Sequence, residues 1–544
     1  MKFSKLVSFL SLSALTLAIV APSAQATLFP GFPIGSDRQA LSVEELATSA
    51  FSFINNEPLS IAVAAGTAEE TPENTRFCDE FNTRGCNLDA TANFRVHSII
   101  PTCGTEIANC IDKLEISKPD GTVVNAKFVR YFKGKTFETP AELGMPGGSR
   151  VSLWQAEGAD NAGGTNLYAV NVQVQWRYVN SNASFISFRA GVYAVREKFD
   201  SKFKDSGIWV GKAFQGKFAS VTETGEILYD GSCVAVEVGA CAEKVEFAPG
   251  TRIKLTMKLS NKVTGWLHGR IAKPDISVTP IDERFNTLSV AADVVDVPMM
   301  YAAFDQSAMS AEFLDRYKNS ENSGRGLFGV SAWKQFPPSN EFASTIVTTL
   351  ADSIKNTATE VHTYWNLASP STPSTNKCLN DSTKLVGFVT TNAMAYSGNA
   401  PTWDGETLQY KVAGLHFLPD GKTLTSGSYD LAMRSDTARC LYGFTNAPIS
   451  ASISVTSADG EQKVATTVLN EKNGWLYLAA YGFSFSSPTI KIKLTQEKPK
   501  EVAPSPTPSA TASTVVKTIK CTKGKTVKTV KGANPKCPAG YKAR

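Results

Sequence analysis

Between residues 252 and 259, apolar and polar side chains alternate without a break. Ile253, Leu255, Met257 and Leu259 lie on one side; Arg252, Lys254, Thr256 and Lys258 lie on the other. An extended strand sends successive side chains to opposite faces, so this stretch belongs in a sheet buried on one face and wetted on the other. The pattern recurs. Val172, Val174, Trp176 and Tyr178 alternate with Gln173, Gln175 and Arg177, and Ile186, Phe188, Ala190, Val192 and Ala194 share a face. Pro119-Asp120-Gly121 and Pro419-Asp420-Gly421 are matching turns, in which Pro presets φ and Gly takes a positive φ. The predicted fold class is mainly β: tandem antiparallel β-sandwich domains, a small helical or mixed insertion, and a short disulfide-stapled basic tail.

The 544 residues divide by composition and period. Residues 27–76 read as an N-terminal arm with a short helix, started by the capping box Ser42-Val43-Glu44-Glu45. Residues 77–284 form the first β-sandwich. Residues 285–370 are mixed or irregular: 308–318 looks helical, and the four-residue recurrence of Phe342, Ile346, Leu350 and Ile354 points to a second helix, while the wholly β-branched run Thr345–Thr349 also suits a strand. After the linker Ser369–Thr375, residues 371–496 hold short strands between regular turns, which predicts an immunoglobulin-like sandwich. Residues 497–514 are a Pro/Ser/Thr tether, and 515–544 a basic two-cysteine module.

The first 26 residues predict a secretory signal. Lys2 and Lys5 precede an apolar run, and Ala24-Gln25-Ala26 fits the small-residue cleavage rule. No later stretch is long and apolar enough for a transmembrane helix, so none is expected in the processed chain. Ten cysteines fit an exported, disulfide-bonded protein. Cys233–Cys241, Cys378–Cys440 and Cys521–Cys537 are the expected local bridges. Cys78, Cys86, Cys103 and Cys110 allow three pairings, and the sequence does not choose among them. A metal site is not expected, because no two cysteines have C-x2-C spacing and only four histidines are present. No cofactor motif occurs: there is no Walker loop, no H-E-x-x-H and no calcium-loop pattern.

The formal net charge is +5, yet residues 515–544 alone carry nine basic side chains and no carboxylate side chain. Everything before them is therefore net acidic. The basic balance is local, and the chain does not read as a nucleic-acid binder. The tail's I-x-C-x-K-G-K-x-x-K-x-V-x-G-x-x-P-x-C-P-x-G-Y-K pattern, Ile519 to Lys542, resembles a C-terminal element of secreted actinobacterial proteins of unassigned function. Tyr-Ser-Gly-x-Ala-Pro at 396–401 and Arg-x-x-x-x-Arg-Cys-Leu-Tyr-Gly-Phe at 434–444 resemble the β domain that often precedes that element. The resemblance covers about the last third of the chain. It implies an exported, Gram-positive-type context and no catalytic residue.

Chemistry-bearing constellations are sparse. His97, His268, His362 and His416 have no G-x-S-x-G elbow to serve, and read as packed or surface side chains. Carboxylates for glycoside hydrolysis are available at Asp282, Glu283, Glu312, Asp404 and Glu406, but such pairs are defined by separation in space. Trp154, Trp176, Trp209, Trp266, Trp365, Trp403 and Trp475 are the candidates for a sugar-stacking surface, with Trp403 the best placed in a loop. Lys517, Lys520, Lys523, Lys525, Lys528 and Lys531 are the candidate contacts to an anionic cell-wall polymer or polysaccharide. The expected protein is secreted and retained at the cell surface or wall, with a binding or structural role. The alternative is an extracellular hydrolase acting on glycans, with its site in residues 77–370.

Overall fold

The structure, a computed structural model, describes residues 98–104, 109–132, 146–178, 182–203, 237–299, 354–370, 374–446, 448–456, 469–485, 489–496 and 516–544, with a few isolated positions and the backbone alone of several further strands. They fall into two units: Met1–Asn446 with Ser450–Thr495, and Ala447–Ile449 with Gln496–Arg544. Both are built mainly from antiparallel strand pairs, and the fold is mainly β. Among the described residues no helix is long and apolar enough to cross a membrane.

The alternation at Arg252–Ser260 does what its period demands. Ile253, Leu255 and Met257 are fully buried. The outer face is laced by cross-strand ion pairs: Lys254 Nζ to Glu115 Oε2 at 3.0 Å and Arg252 Nη1 to Asp293 Oδ1 at 2.7 Å, each between residues directly opposite in register. Opposite charges so placed contribute roughly 0.2–1 kcal/mol each. This strand is central in a five-stranded sheet ordered Ala272–Pro280, Phe285–Asp293, Arg252–Ser260, Cys110–Ser117, Val123–Asn125. Its apolar face joins one core cluster with Val172, Val174, Trp176, Phe188 and Leu267 of a second, longer sheet. Two sheets sharing one core make a sandwich.

Two boundaries move. Residues 285–370, expected to be mixed or irregular, open with the strands Phe285–Asp293 and Val295–Met299. The first pairs with strands on both sides and completes the five-stranded sheet. Asn286 and Thr287 interrupt its alternation, and only Leu288, Val290 and Ala292 keep it, which hides the strand from a period count. The expected start of a separate domain at 371 is crossed by the long sheet. Along it run Leu167–Val179, Asn182–Phe199, Asn366–Ala368, Gly265–Arg270, Leu385–Thr391, Gly427–Arg434 and Trp475–Phe483. Gly265–Arg270 and Leu385–Thr391 pair in parallel. Leu385–Thr391 is buried at every position, so it needs cover on both faces and a neighbour on both edges. Gly387 allows the junction, because an added Cβ would meet the Trp266 ring at 2.5 Å.

Ser435–Tyr442 is the one helix described along its whole length, and the sequence pattern did not announce it; Ala311, Ser344, Val347 and Thr348 are also helical, at positions inside the two expected helices. The Ser435–Tyr442 helix stops at Gly443, whose φ of 65° is the left-handed cap that glycine adopts freely. The bridge Cys378–Cys440 ties this helix to the chain 62 residues earlier, as expected. Cys521–Cys537 also forms, and Cys103–Cys110 resolves part of the open four-cysteine pairing. Cys241 is disulfide-bonded. The side chains of Cys78, Cys86 and Cys233, and most of the helices expected at 27–76, 308–318 and 342–354, lie outside the described residues.

Candidate functional site

The C-terminal module is a three-stranded antiparallel sheet, with Lys517–Lys523 between Thr526–Gly532 and Lys542–Ala543. β-Branched residues fill the two long strands (Thr518, Ile519, Thr522, Thr526, Val527, Thr529, Val530), as a pleated surface prefers. The two-residue loop Gly524-Lys525 closes the hairpin, with Gly524 at φ 61° in the position where the hairpin's twist favours glycine. The hairpin was expected; the third strand was not.

So small a sheet has little core. One face keeps Cys521 fully buried, with Ile519, Val530, Cys537 and Tyr541 half-buried around it. The Cys521–Cys537 bridge, closing a separation of 16 residues, contributes about 3 kcal/mol by restricting the unfolded chain. All nine basic side chains are exposed. In the register, Lys517 faces Gly532, Lys520 faces Thr529, Lys523 faces Thr526, Lys528 faces Cys521, Lys531 faces Thr518 and Lys542 faces Thr522. No lysine stands opposite another. Like charges directly across a sheet destabilise it, so this order lets a folded module carry its charge without carboxylates.

The candidate lysines therefore split. Lys517, Lys523 and Lys528 share the face that holds Cys521; Lys520 and Lys531 lie on the other; Lys525 is in the turn. Lys528 Nζ sits 5.4 Å from the centre of the Tyr541 ring, and Lys523 Nζ lies against Gly540.

Trp403 belongs to the large unit. Among the described tryptophans of the candidate set it alone is not buried: Trp154, Trp176, Trp266, Trp365 and Trp475 are each 5% exposed or less. Trp209 lies outside the described residues. The Trp403 ring meets Tyr442 edge-on at 4.4 Å, and Tyr442 stacks on Phe444 at 5.0 Å. The three rings make a half-buried ledge. The motif residues that carried the resemblance are structural here: Cys440 is bridged, Arg434 covers the Trp475 ring at 4.9 Å, and Tyr396 is buried against His268.

The carboxylates considered for hydrolysis are mostly engaged. Asp404 accepts from the amides of Thr407 and Glu406, the Thr407 hydroxyl and Gln409, and these hold its carboxyl well below the usual range. It is a loop brace. Glu406 pairs with Lys493. Asp282 caps its turn through the amides of Arg284 and Phe285. Glu312 lies outside the described residues. A cleft of about 290 Å³, lined by Val263, Pro280, Leu288, Lys384 and Arg434, includes Asp282 as its one carboxylate.

Histidine placement was only partly legible. His268 is 7% exposed, and burial together with the Arg189 and Arg270 charges pushes it down to about 4. It is a neutral core side chain hydrogen-bonding distance (3.2 Å) from the Tyr396 hydroxyl. His362 is different. Its Nδ1 lies 2.8 Å from Glu246 and its Nε2 2.9 Å from Glu360. Burial raises the Glu246 carboxyl, but the His362 hydrogen bond, the Lys244 charge and Thr363 outweigh it and hold it at about 2. Glu360 and His362 two apart on a strand was the available signal; Glu246, 116 residues away, gave none. Among the described residues no group of three or more His, Cys, Asp and Glu could hold a metal ion. His97's side chain lies outside the described residues.

Comparison with protein-family models, curated proteins and solved structures finds no match to this chain.

Proposed function

We propose that this chain is a secreted or cell-surface-associated protein with a binding or structural role, attached through its C-terminal module to an anionic wall polymer or surface polysaccharide. The observation that carries the reading is the module's charge: nine exposed cations and no carboxylate side chain on a folded, disulfide-closed sheet. A rigid sheet holds its charges in place before binding, so less ordering entropy is lost on contact than with a free basic peptide. The disulfides support an oxidising compartment. Kinship with secreted actinobacterial proteins, through the Ile519–Lys542 pattern, is part of the same proposal. The Trp403–Tyr442–Phe444 ledge offers apolar ring surface on which a sugar face would stack as a second, weaker contact.

The test compares the full chain with a variant lacking residues 515–544 for retention on a cell-wall fraction across a salt series. Retention should fall sharply with the deletion, and should fall for the full chain near molar salt, where screening shortens to about 3 Å. Equal retention of both proteins, insensitive to salt, would sink the proposal.

A further inference from the structure

The two faces of the C-terminal sheet are not equivalent, and the difference points to a ligand. Residues directly opposite in an antiparallel pair project to the same side. One side carries Lys517, Ile519, Cys521, Lys523, Thr526, Lys528 and Val530, and is covered around the buried Cys521. The other side carries Thr518, Lys520, Thr522, Val527, Thr529, Lys531 and Lys542. All of these are exposed except half-buried Thr522.

On this open side the three lysines fall on one line. Lys531 is opposite Thr518, Lys520 is two residues further along the central strand, and Lys542 is opposite Thr522, two further again. Each step crosses one strand and advances two residues. With strands about 4.8 Å apart and about 3.4 Å per residue, successive lysines are about 8 Å apart on a straight diagonal. Thr518 borders the row on one side, Thr522 and Thr529 on the other. The covered face has no comparable row: Lys528 rests on Tyr541 and Lys523 against Gly540.

We infer that this open face binds a linear phosphodiester polymer of the polyol type, laid along the Lys531–Lys520–Lys542 diagonal. The inference rests on the proposed anchoring role and names its ligand class. Evenly spaced ammonium groups match a chain with a regularly repeated single charge. A phosphodiester has two non-bridging oxygens, so one can accept from a lysine and the other from a flanking threonine hydroxyl. The face presents no aromatic ring, so it lacks the stacking surface with which single-stranded nucleic acids are held. A backbone of phosphates and polyols needs only the charges and hydroxyls present.

The experiment uses two triple variants of equal net charge in the full chain. Lys520→Gln/Lys531→Gln/Lys542→Gln removes the row; Lys517→Gln/Lys523→Gln/Lys528→Gln removes three charges from the covered face. Binding to poly(glycerol phosphate) is measured across a salt series. The open-face triple should lose on the order of a hundredfold at low salt, at about a factor of five per lysine, and its log-affinity against log-salt slope should shrink by about two. The covered-face triple should lose less than about tenfold. A Lys→Arg triple at 520, 531 and 542 should bind like the parent, and thiol titration should find Cys521–Cys537 intact in every variant. Equal losses in the two triples would overturn the row while leaving a generic cationic anchor standing. Equal or tighter binding of polygalacturonate or single-stranded DNA by the parent would overturn the phosphodiester-polyol class. Retention that survives deletion of 515–544 would remove the anchor itself.

Discussion

Replacing Asp430 by Asn should change how stability depends on pH. Asp430 lies on Gly427–Arg434, an interior strand of the long sheet between Leu385–Thr391 and Trp475–Phe483, and is 4% exposed. Tyr481 donates its hydroxyl to Oδ1 at 2.5 Å, and the Lys273 backbone acts on the carboxyl in the same sense. Burial outweighs these contacts and, with the Asp293 charge nearby, pushes the carboxyl from 3.8 up to about 7. Lys273 pulls it down, and Arg252 acts on Tyr481 from the same cluster. The folded value lies above the unfolded one, so the unfolded chain gives up this proton first. The contribution of Asp430 is fully present below about pH 4, is lost as pH rises to about 7, and is constant above. At about 1.4 kcal/mol per pH unit, the loss is about 4 kcal/mol. Asn keeps an acceptor for Tyr481 and never ionises. Urea unfolding of the disulfide-intact protein between pH 4 and 8 measures the effect. Wild type should lose stability relative to Asp430→Asn through that window, with the variant more stable at pH 8 by up to about 4 kcal/mol. Parallel pH profiles for the two proteins would refute the assignment of a raised pKa to this buried carboxyl.

Two further perturbations probe the architecture. Cys378→Ser/Cys440→Ser should cost on the order of 4 kcal/mol, because the bridge spans 62 residues and restricts a long unfolded loop; chemical denaturation measures it, and a loss below about 1 kcal/mol would contradict that account. Gly269→Ala should destabilise the sheet by about 1–3 kcal/mol, because its Cβ would collide with the Asn366 carbonyl where Gly265–Arg270 pairs with Asn366–Ala368; an unchanged thermal midpoint would show that the two strands can separate without cost.

The contrast between Arg252–Ser260 and Leu385–Thr391 explains how much of the fold was legible. The first is wetted on one face, so its neighbours write a period of two into the sequence. The second is covered everywhere, and a uniformly buried strand carries no period that says which strand lies beside it. Its parallel pairing with Gly265–Arg270, 120 residues earlier in register, depends on Gly387 leaving room for Trp266. A linker composition at 369–375 therefore looked like a domain boundary although the sheet continues past it.

The candidate sites divide in the same way. The charge, the bridge and the hairpin of the C-terminal module are local, and residue types at short range determine them: lysines, two cysteines, and a glycine at the turn. The sequence by itself determined a mainly β chain with disulfides and a cationic end. Tertiary structure alone decided the rest: that Glu246 reaches His362 across 116 residues, and that Lys520, Lys531 and Lys542 share one open face. Each depends on which strands become neighbours and in what register, and a one-residue slip of either long strand against its partner would put Lys531 and Lys520 on opposite faces and break the row.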